Sequence, residues 1–188
     1  MERNLQSLKV VDAHEHLNAY LPPSEIDRLL DAARHSPNGI RDYTLVLLTY
    51  RHGLHSFEAV RLQRDEVNLS EAQILVRRAK GSMDSQPLTA DELRSIQDYL
   101  AVRDDNLPWL FLSERGKQLN RRSVNCIIGE AGKRAGLGAI RPCMLRYSCG
   151  RALENKGIDV GVIRDWLGDR HPTRSTGLVA RFLHGVWD

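Results

Sequence analysis

The apolar residues of this chain recur at helical spacing for most of its length, with one short stretch of strand-like alternation in the middle. After Leu21-Pro22-Pro23 come Ser24, Glu25, Ile26, Asp27, Leu29 and Leu30. Ser24 is a favoured helix cap and the early acids suit the positive end of a helix dipole, so a helix is predicted over 24–33. A second helix starts near Gly39-Ile40 and carries Leu45, Val46, Leu47, Leu48 and Tyr50. It is apolar nearly all round, which predicts a central buried helix, and Gly53 ends it. Ser56 can cap a short helix over 57–62.

The alternating stretch follows. Residues 66–70 and 73–77 read as short strands around a tight turn, and 86–88 as a returning edge strand. Between them Arg78-Ala79-Lys80-Gly81-Ser82 forms a basic hairpin tip. Helical spacing then resumes. Thr89 caps a helix over 91–102, and Asn106-Leu107-Pro108 breaks it. Trp109-Leu110-Phe111-Leu112 is a buried apolar run. Its aromatic residues, with Trp166 and Trp187, read as core and not as base-stacking platforms. Asn120 caps a basic helix over 121–135, Gly136-Leu137-Gly138 turns the chain, and a helix opening at Pro142 runs to about Gly157. Asp159 caps a last helix over 160–167, closed by Gly168. The pattern predicts a mainly α, α+β fold, with residues 1–22 as an N-terminal arm and 23–188 as one domain.

Composition narrows the class. With 41% apolar and 27% charged residues, the chain fits a globular protein, and no apolar run reaches membrane-spanning length. The opening residues lack a signal-peptide core. The three cysteines, Cys126, Cys143 and Cys149, form no C-x-x-C pair. They point to reduced thiols in a cytoplasmic setting and away from structural zinc. The net charge of +3 hides an asymmetry. Residues 1–114 hold 13 Lys/Arg against 18 Asp/Glu, a net of −5, and residues 115–188 hold 14 against 6, a net of +8. A basic half suits a polyanion such as nucleic acid; it also suits an inert dipolar surface.

Two histidine patterns invite a metal reading and do not sustain it. Asp12-Ala13-His14-Glu15-His16 imitates a hydrolase motif, but no later His/Asp set completes a ligand shell. His52 and His55 are three residues apart at a helix end, where packing is the simpler role. No metal and no cofactor is expected.

Several motifs taken together carry a resemblance. They are His52-Gly53-Leu54, the stretch from Arg77 to Leu88 with Lys80 in the hairpin, and Phe111-Leu112-Ser113. Further along come Met144-Leu145-Arg146-x-Ser148-Cys149-Gly150, Gly157-Ile158-Asp159, Ile163-x-Asp165-x-Leu167-Gly168-x-Arg170, and the ending Gly185-Val186-Trp187-Asp188. From about Ser24 onward the chain resembles the catalytic domain of the tyrosine recombinases (phage integrase family), and within them the short fimbrial phase-variation invertases. The resemblance implies a helical bundle with a small hairpin sheet. It also implies chemistry in which a tyrosine attacks a DNA phosphate, two arginines bind the charged phosphate oxygens, and a hairpin lysine and histidines manage protons.

Position by position, the resemblance implies that Lys80 and Arg146 are retained. His55 stands at the first arginine, Cys143 at the first histidine, Asp169 at the second histidine and Leu178 at the nucleophile. No tyrosine follows Tyr147. Ser175 and Thr176 are weak nucleophiles without a base. Asp169 is expected to pair with Arg146 or Arg170 and so neutralise the phosphate pocket. Arg77, Arg78, Lys80, Arg121, Arg122, Arg141, Arg146, Arg170 and Arg174 are the candidate contacts to a DNA backbone. The implied function is binding of double-stranded DNA without strand cleavage, as a nucleoid-associated regulator or accessory factor. The protein would act as a homo-oligomer or together with an active recombinase. Two alternatives stay open at this point. One is a recombinase using an unrecognised or partner-supplied nucleophile; the other is a protein-interaction module that no longer binds DNA.

Overall fold

The computed structural model describes residues 20–79, 81–169 and Trp187. Seven helices and three strands are described: α1 (Pro23–Arg34), α2 (Gly39–Arg51), α3 (Ser56–Arg61), β1 (Val67–Asn68), β2 (Gln73–Arg77), β3 (Met83–Pro87), α4 (Ala90–Ala101), α5 (Arg121–Arg134), α6 (Pro142–Asn155) and α7 (Val160–Trp166). The strands form one antiparallel sheet in the order β1-β2-β3. This is the mainly helical α+β fold that the pattern of apolar positions predicts. No helix among the described residues is long and apolar enough to cross a membrane.

α2 is the axis of the molecule because it has no polar side to leave in water. Leu45, Val46, Leu47 and Leu48 are all fully buried, each contributing roughly 1.5–3 kcal/mol relative to exposure. α1, α4 and α6 pack around it. α1 supplies Ile26, Leu29 and Ala33 at helical spacing, and α6 supplies Leu145, Cys149 and Leu153. Burial pushes the Cys149 thiol up to about 12, so it is a small core residue and not a nucleophile.

Several boundaries differ from the predicted ones, among them the first strand, which spans only Val67–Asn68 within the predicted 66–70. α1 begins at Pro23, one residue before the expected cap Ser24. Proline suits that first position because its missing N–H would have had no helical partner. Leu21 is buried, and its N–H donates to Ser148 Oγ at 2.7 Å, so the packed body starts inside the stretch assigned to the arm. Residues 1–19 lie outside the described residues. β3 spans Met83–Pro87 and not 86–88, because its register from Arg77↔Met83 to Gln73↔Pro87 recruits polar residues that carry no apolar signal. α3 is capped from His55, whose N–H donates to Glu58 Oε2 at 2.9 Å, and not from Ser56.

A buried polar cluster joins α2, β3, α4 and α7. His52, fully buried, stacks on Trp166 with ring centroids 5.7 Å apart. Gln86 Nε2 donates to the Trp166 carbonyl at 2.8 Å, which turns Gln86 Oε1 toward His52 Nδ1, also at 2.8 Å. The other ring nitrogen lies 2.9 Å from Glu92 Oε1, within ion-pair range but out of line for a hydrogen bond. Burial alone would raise the Glu92 carboxyl. The charge of His52 and hydrogen bonds from Thr89 outweigh it and hold Glu92 below the usual carboxylate range.

Three outcomes follow from this packing. Replacing His52 by Ala leaves Glu92 buried without its counter-charge, and urea unfolding should register a loss of about 3–5 kcal/mol. Because the folded Glu92 value is depressed, its contribution is complete above the unfolded value of about 4.3. It disappears as pH falls through the lower folded value. Urea midpoints should therefore drop below about pH 4 in the parent chain, and less steeply in Glu92→Gln. Gly53 sits at φ +57°, where a Cβ would lie 2.3 Å from Leu167 Cδ2. Gly53→Ala should lower the thermal midpoint through about 1–3 kcal/mol of overpacking and backbone strain.

Candidate functional site

Three chain turns converge beside the end of α2. They are the α2–α3 connection from His52 to His55, the second turn of α6 with Arg146, and the end of α7 from Trp166 to Asp169. The hairpin base at Arg78 and Ala79 closes the fourth side. The first and third are sharp for a local reason. Gly53 and Gly168 both adopt positive φ, which brings main-chain carbonyls around without a Cβ in the way.

Arg146 is 7% exposed and donates three hydrogen bonds. Nη1 donates to the Gly53 carbonyl at 2.6 Å. Nη2 donates to the Leu167 carbonyl at 2.6 Å and to Asp169 Oδ1 at 2.8 Å. The expected pairing of Asp169 with Arg146 is thus present. The Arg146 side chain is 9% exposed and that of Asp169 49%. A pair half open to water contributes at most about 1 kcal/mol, whereas each charged donor to a carbonyl is worth about 1.5–3 kcal/mol. The carbonyls, and not Asp169, hold the guanidinium in place.

Arg78 is the clear correction to the expected DNA contacts. It is 4% exposed and so does not present a cation to a partner. Its Nη1 donates to Glu58 Oε2 at 3.2 Å, and Nη2 donates to the carbonyls of His52, at 2.9 Å, and Trp166. Nε lies 3.6 Å from Asp84 Oδ2 and has no hydrogen-bond partner. Burial pulls the Arg78 guanidinium down, partly offset by Glu58; burial likewise raises Asp84.

Glu58 is the residue that pattern reading overlooks. It is buried and accepts from Arg78, from the Ala79 N–H at 3.1 Å and from the His55 N–H. The one available signal is its place three residues after His55, the spacing of a capping carboxylate. His55 itself stands half-buried. Burial first, then the neighbouring Arg146 charge, holds its imidazole below the ordinary value, so it is neutral at pH 7. Its ring stacks on Phe57 with centroids 5.6 Å apart. The Arg121 guanidinium lies 5.6 Å from the Phe57 ring centroid. Ser56 Oγ donates to Asn125 Oδ1 at 2.7 Å, tying α3 to α5. The basic start of α5 is thereby fixed next to the turn that carries His55.

The other candidates divide. Arg121, Arg122 and Arg141 are exposed. Arg77 is half-exposed and paired with Glu66. Arg51 donates to Asp91 Oδ2 at 2.9 Å, away from Arg146. Cys143 is exposed at the start of α6. It lines an open groove of about 930 Å³ with Leu21, Arg28, Leu137, Ile140 and Tyr147, whereas Arg146, three residues on, faces the α2 turn. Lys80, Arg170, Arg174 and Leu178 lie outside the described residues. No group of His, Cys, Asp and Glu suited to a metal ion occurs among the described residues.

Comparison with known proteins agrees with this geometry. Residues 19–175 match the family model described as the phage integrase family. The type 1 fimbriae regulatory protein FimB of Escherichia coli K12 is 38% identical over 178 residues, covering 90% of this chain and 89% of that protein. The crystal structure of XerA recombinase superposes with a TM-score of 0.74 at 23% identity, covering 88% of this chain and 64% of that one. XerH site-specific recombinase bound to palindromic difH substrate, in a post-cleavage complex, gives a TM-score of 0.69 at 19% identity, covering 93% and 52%. The chain therefore belongs to the phage integrase family, and its packed body has the catalytic-domain fold of a tyrosine recombinase.

Proposed function

We propose that this protein binds double-stranded DNA through its phosphate backbone without cleaving it, and serves as a regulator or accessory factor of a DNA rearrangement. The observation that carries this reading is His55. The resemblance to the family calls for a permanent guanidinium at that place, aimed at the phosphate beside Arg146. Here a half-buried imidazole, kept neutral by burial and by Arg146, offers no such charge. Charge developing on an attacked phosphate would meet Asp169 in place of a second donor, which opposes the transition state. The implied nucleophile position holds Leu178.

Support for retained DNA binding comes from what is left exposed. Arg121, Arg122 and Arg141 remain open to solvent on the basic half of the chain, and Phe57 steadies Arg121. FimB is a regulatory protein by its description, and XerH is seen on its DNA substrate; both suit a DNA-directed role.

The test uses the full chain and duplex DNA, nicked and intact, from its own genomic neighbourhood. A mobility shift that weakens steeply with salt is expected, with no denaturation-resistant covalent adduct. An adduct would overturn the no-cleavage reading, and no shift at any sequence would overturn DNA binding. Arg121→Ala and Arg122→Ala should each weaken binding to all sequences alike. Each should also reduce the slope of log affinity against log salt by about 1.

A further inference from the structure

The open groove of about 930 Å³ beside α6 has an apolar floor. Leu21 and Ile140 are buried in it, and Leu137 and Met144 half-buried. Two aromatic side chains on it stay open to water, Tyr147 at 56% exposure and Tyr20 at 36%. Apolar surface gathered along one groove is a contact surface in want of a partner. Arg28 and Arg141, both exposed, line the same groove.

The chain enters at the wall of this groove. The Leu21 N–H donates to Ser148 Oγ, and the Arg151 guanidinium lies 5.6 Å from the Tyr20 ring centroid. Both residues are thereby pinned along α6, and the nineteen residues before Tyr20 start at the groove itself. Their nearer half has the chemistry of a matching strip. Val10, Ala13 and Leu17 stand at the i, i+3, i+7 spacing of one apolar face. Residues 10–19 also carry two acids, Asp12 and Glu15, and no Lys or Arg.

We propose that residues 10–19 of this same chain dock in the groove, with Val10, Ala13 and Leu17 on its apolar floor and Asp12 and Glu15 beside Arg28 and Arg141. The tether selects this occupant. A segment joined directly to the wall meets it at an effective concentration on the order of 1 mM, so a contact with a dissociation constant of about 0.1 mM seats it roughly nine-tenths of the time. A second copy of the chain at micromolar concentration has no such advantage and needs a contact about a thousand times tighter for the same occupancy. Docking covers Cys143, which lines the groove, and sets carboxylates against Arg141. The segment and a DNA backbone then contend for one cation. That consequence, and not the docking, rests on the DNA-binding reading.

The three cysteines report on the seat. Cys143 lies in the groove, Cys126 is exposed in a different one on α5, and Cys149 is buried. The full chain is pulse-labelled with N-ethylmaleimide and each site followed by peptide mass spectrometry. Cys143 should react about tenfold more slowly in the parent than in Leu17→Asp. Cys126 should react alike in both, and Cys149, unlabelled in both, shows the body to be folded. Equal Cys143 rates would overturn the docking. In Ala13→Cys, oxidation with diamide should join residues 13 and 143 within one chain. No such bond, a bond between two chains, or one formed as readily to Cys126 would also overturn it.

A DNA arm tests the competition. Asp12→Asn with Glu15→Gln should steepen the slope of log affinity against log salt by about 0.9 as Arg141 is freed, and the gain should vanish in an Arg141→Ala background. An unchanged slope, or a gain that survives Arg141→Ala, would overturn the competition. If no variant binds DNA, the DNA-binding reading fails, and the thiol measurements still decide the docking.

Discussion

Two guanidinium groups, Arg78 and Arg146, are buried against the carbonyls that close α2 and α7. Between them they engage the main chain at His52, Gly53, Trp166 and Leu167. Helix ends leave carbonyls without partners, and a buried carbonyl without a partner is costly. Here the two arginines meet that need, and in doing so they fix where α2, α3, α6, α7 and the hairpin come together. The packing of apolar residues on α2 makes the body; these two cations decide the geometry of the polar junction where those elements meet.

That double role makes the two arginines part of the fold as well as of the candidate site. Arg146 cannot be lost without exposing two carbonyls, so structure alone retains it. Glu58 is tied in the same way through Arg78, Ala79 and His55. Among the described residues the half-buried site brings together the Arg146 guanidinium, the His55 imidazole and the Asp169 carboxylate.

Much of the fold was legible in the order of residues. Period and capping signals placed α2, α4, α5 and α7 within a residue or two of their observed bounds, since each depends on neighbours three and four apart. β3 was read too short because Asp84 and Ser85 pair by register and not by apolar burial. The start of the body was misplaced because the partner of Leu21 is Ser148, more than a hundred residues away. In the site, the ion pair of Arg146 with Asp169 was foreseeable from the family pattern and opposite charges. The burial of Arg78 was not, because a hairpin arginine beside Ala79-Lys80-Gly81 looks the same whether it faces water or Glu58.

The sequence by itself determined the class of fold and the basic half of the chain, because those properties are local or compositional. Only the tertiary structure decided which cations are free to meet a partner. Arg78 and Arg121 are both single positive charges in polar surroundings when written in a line. Folding removes the first into a shell of carbonyls and a carboxylate, and leaves the second in water over Phe57. The physical reason is that a guanidinium's role depends on the acceptors around it, and those acceptors come from helix ends far apart in the chain.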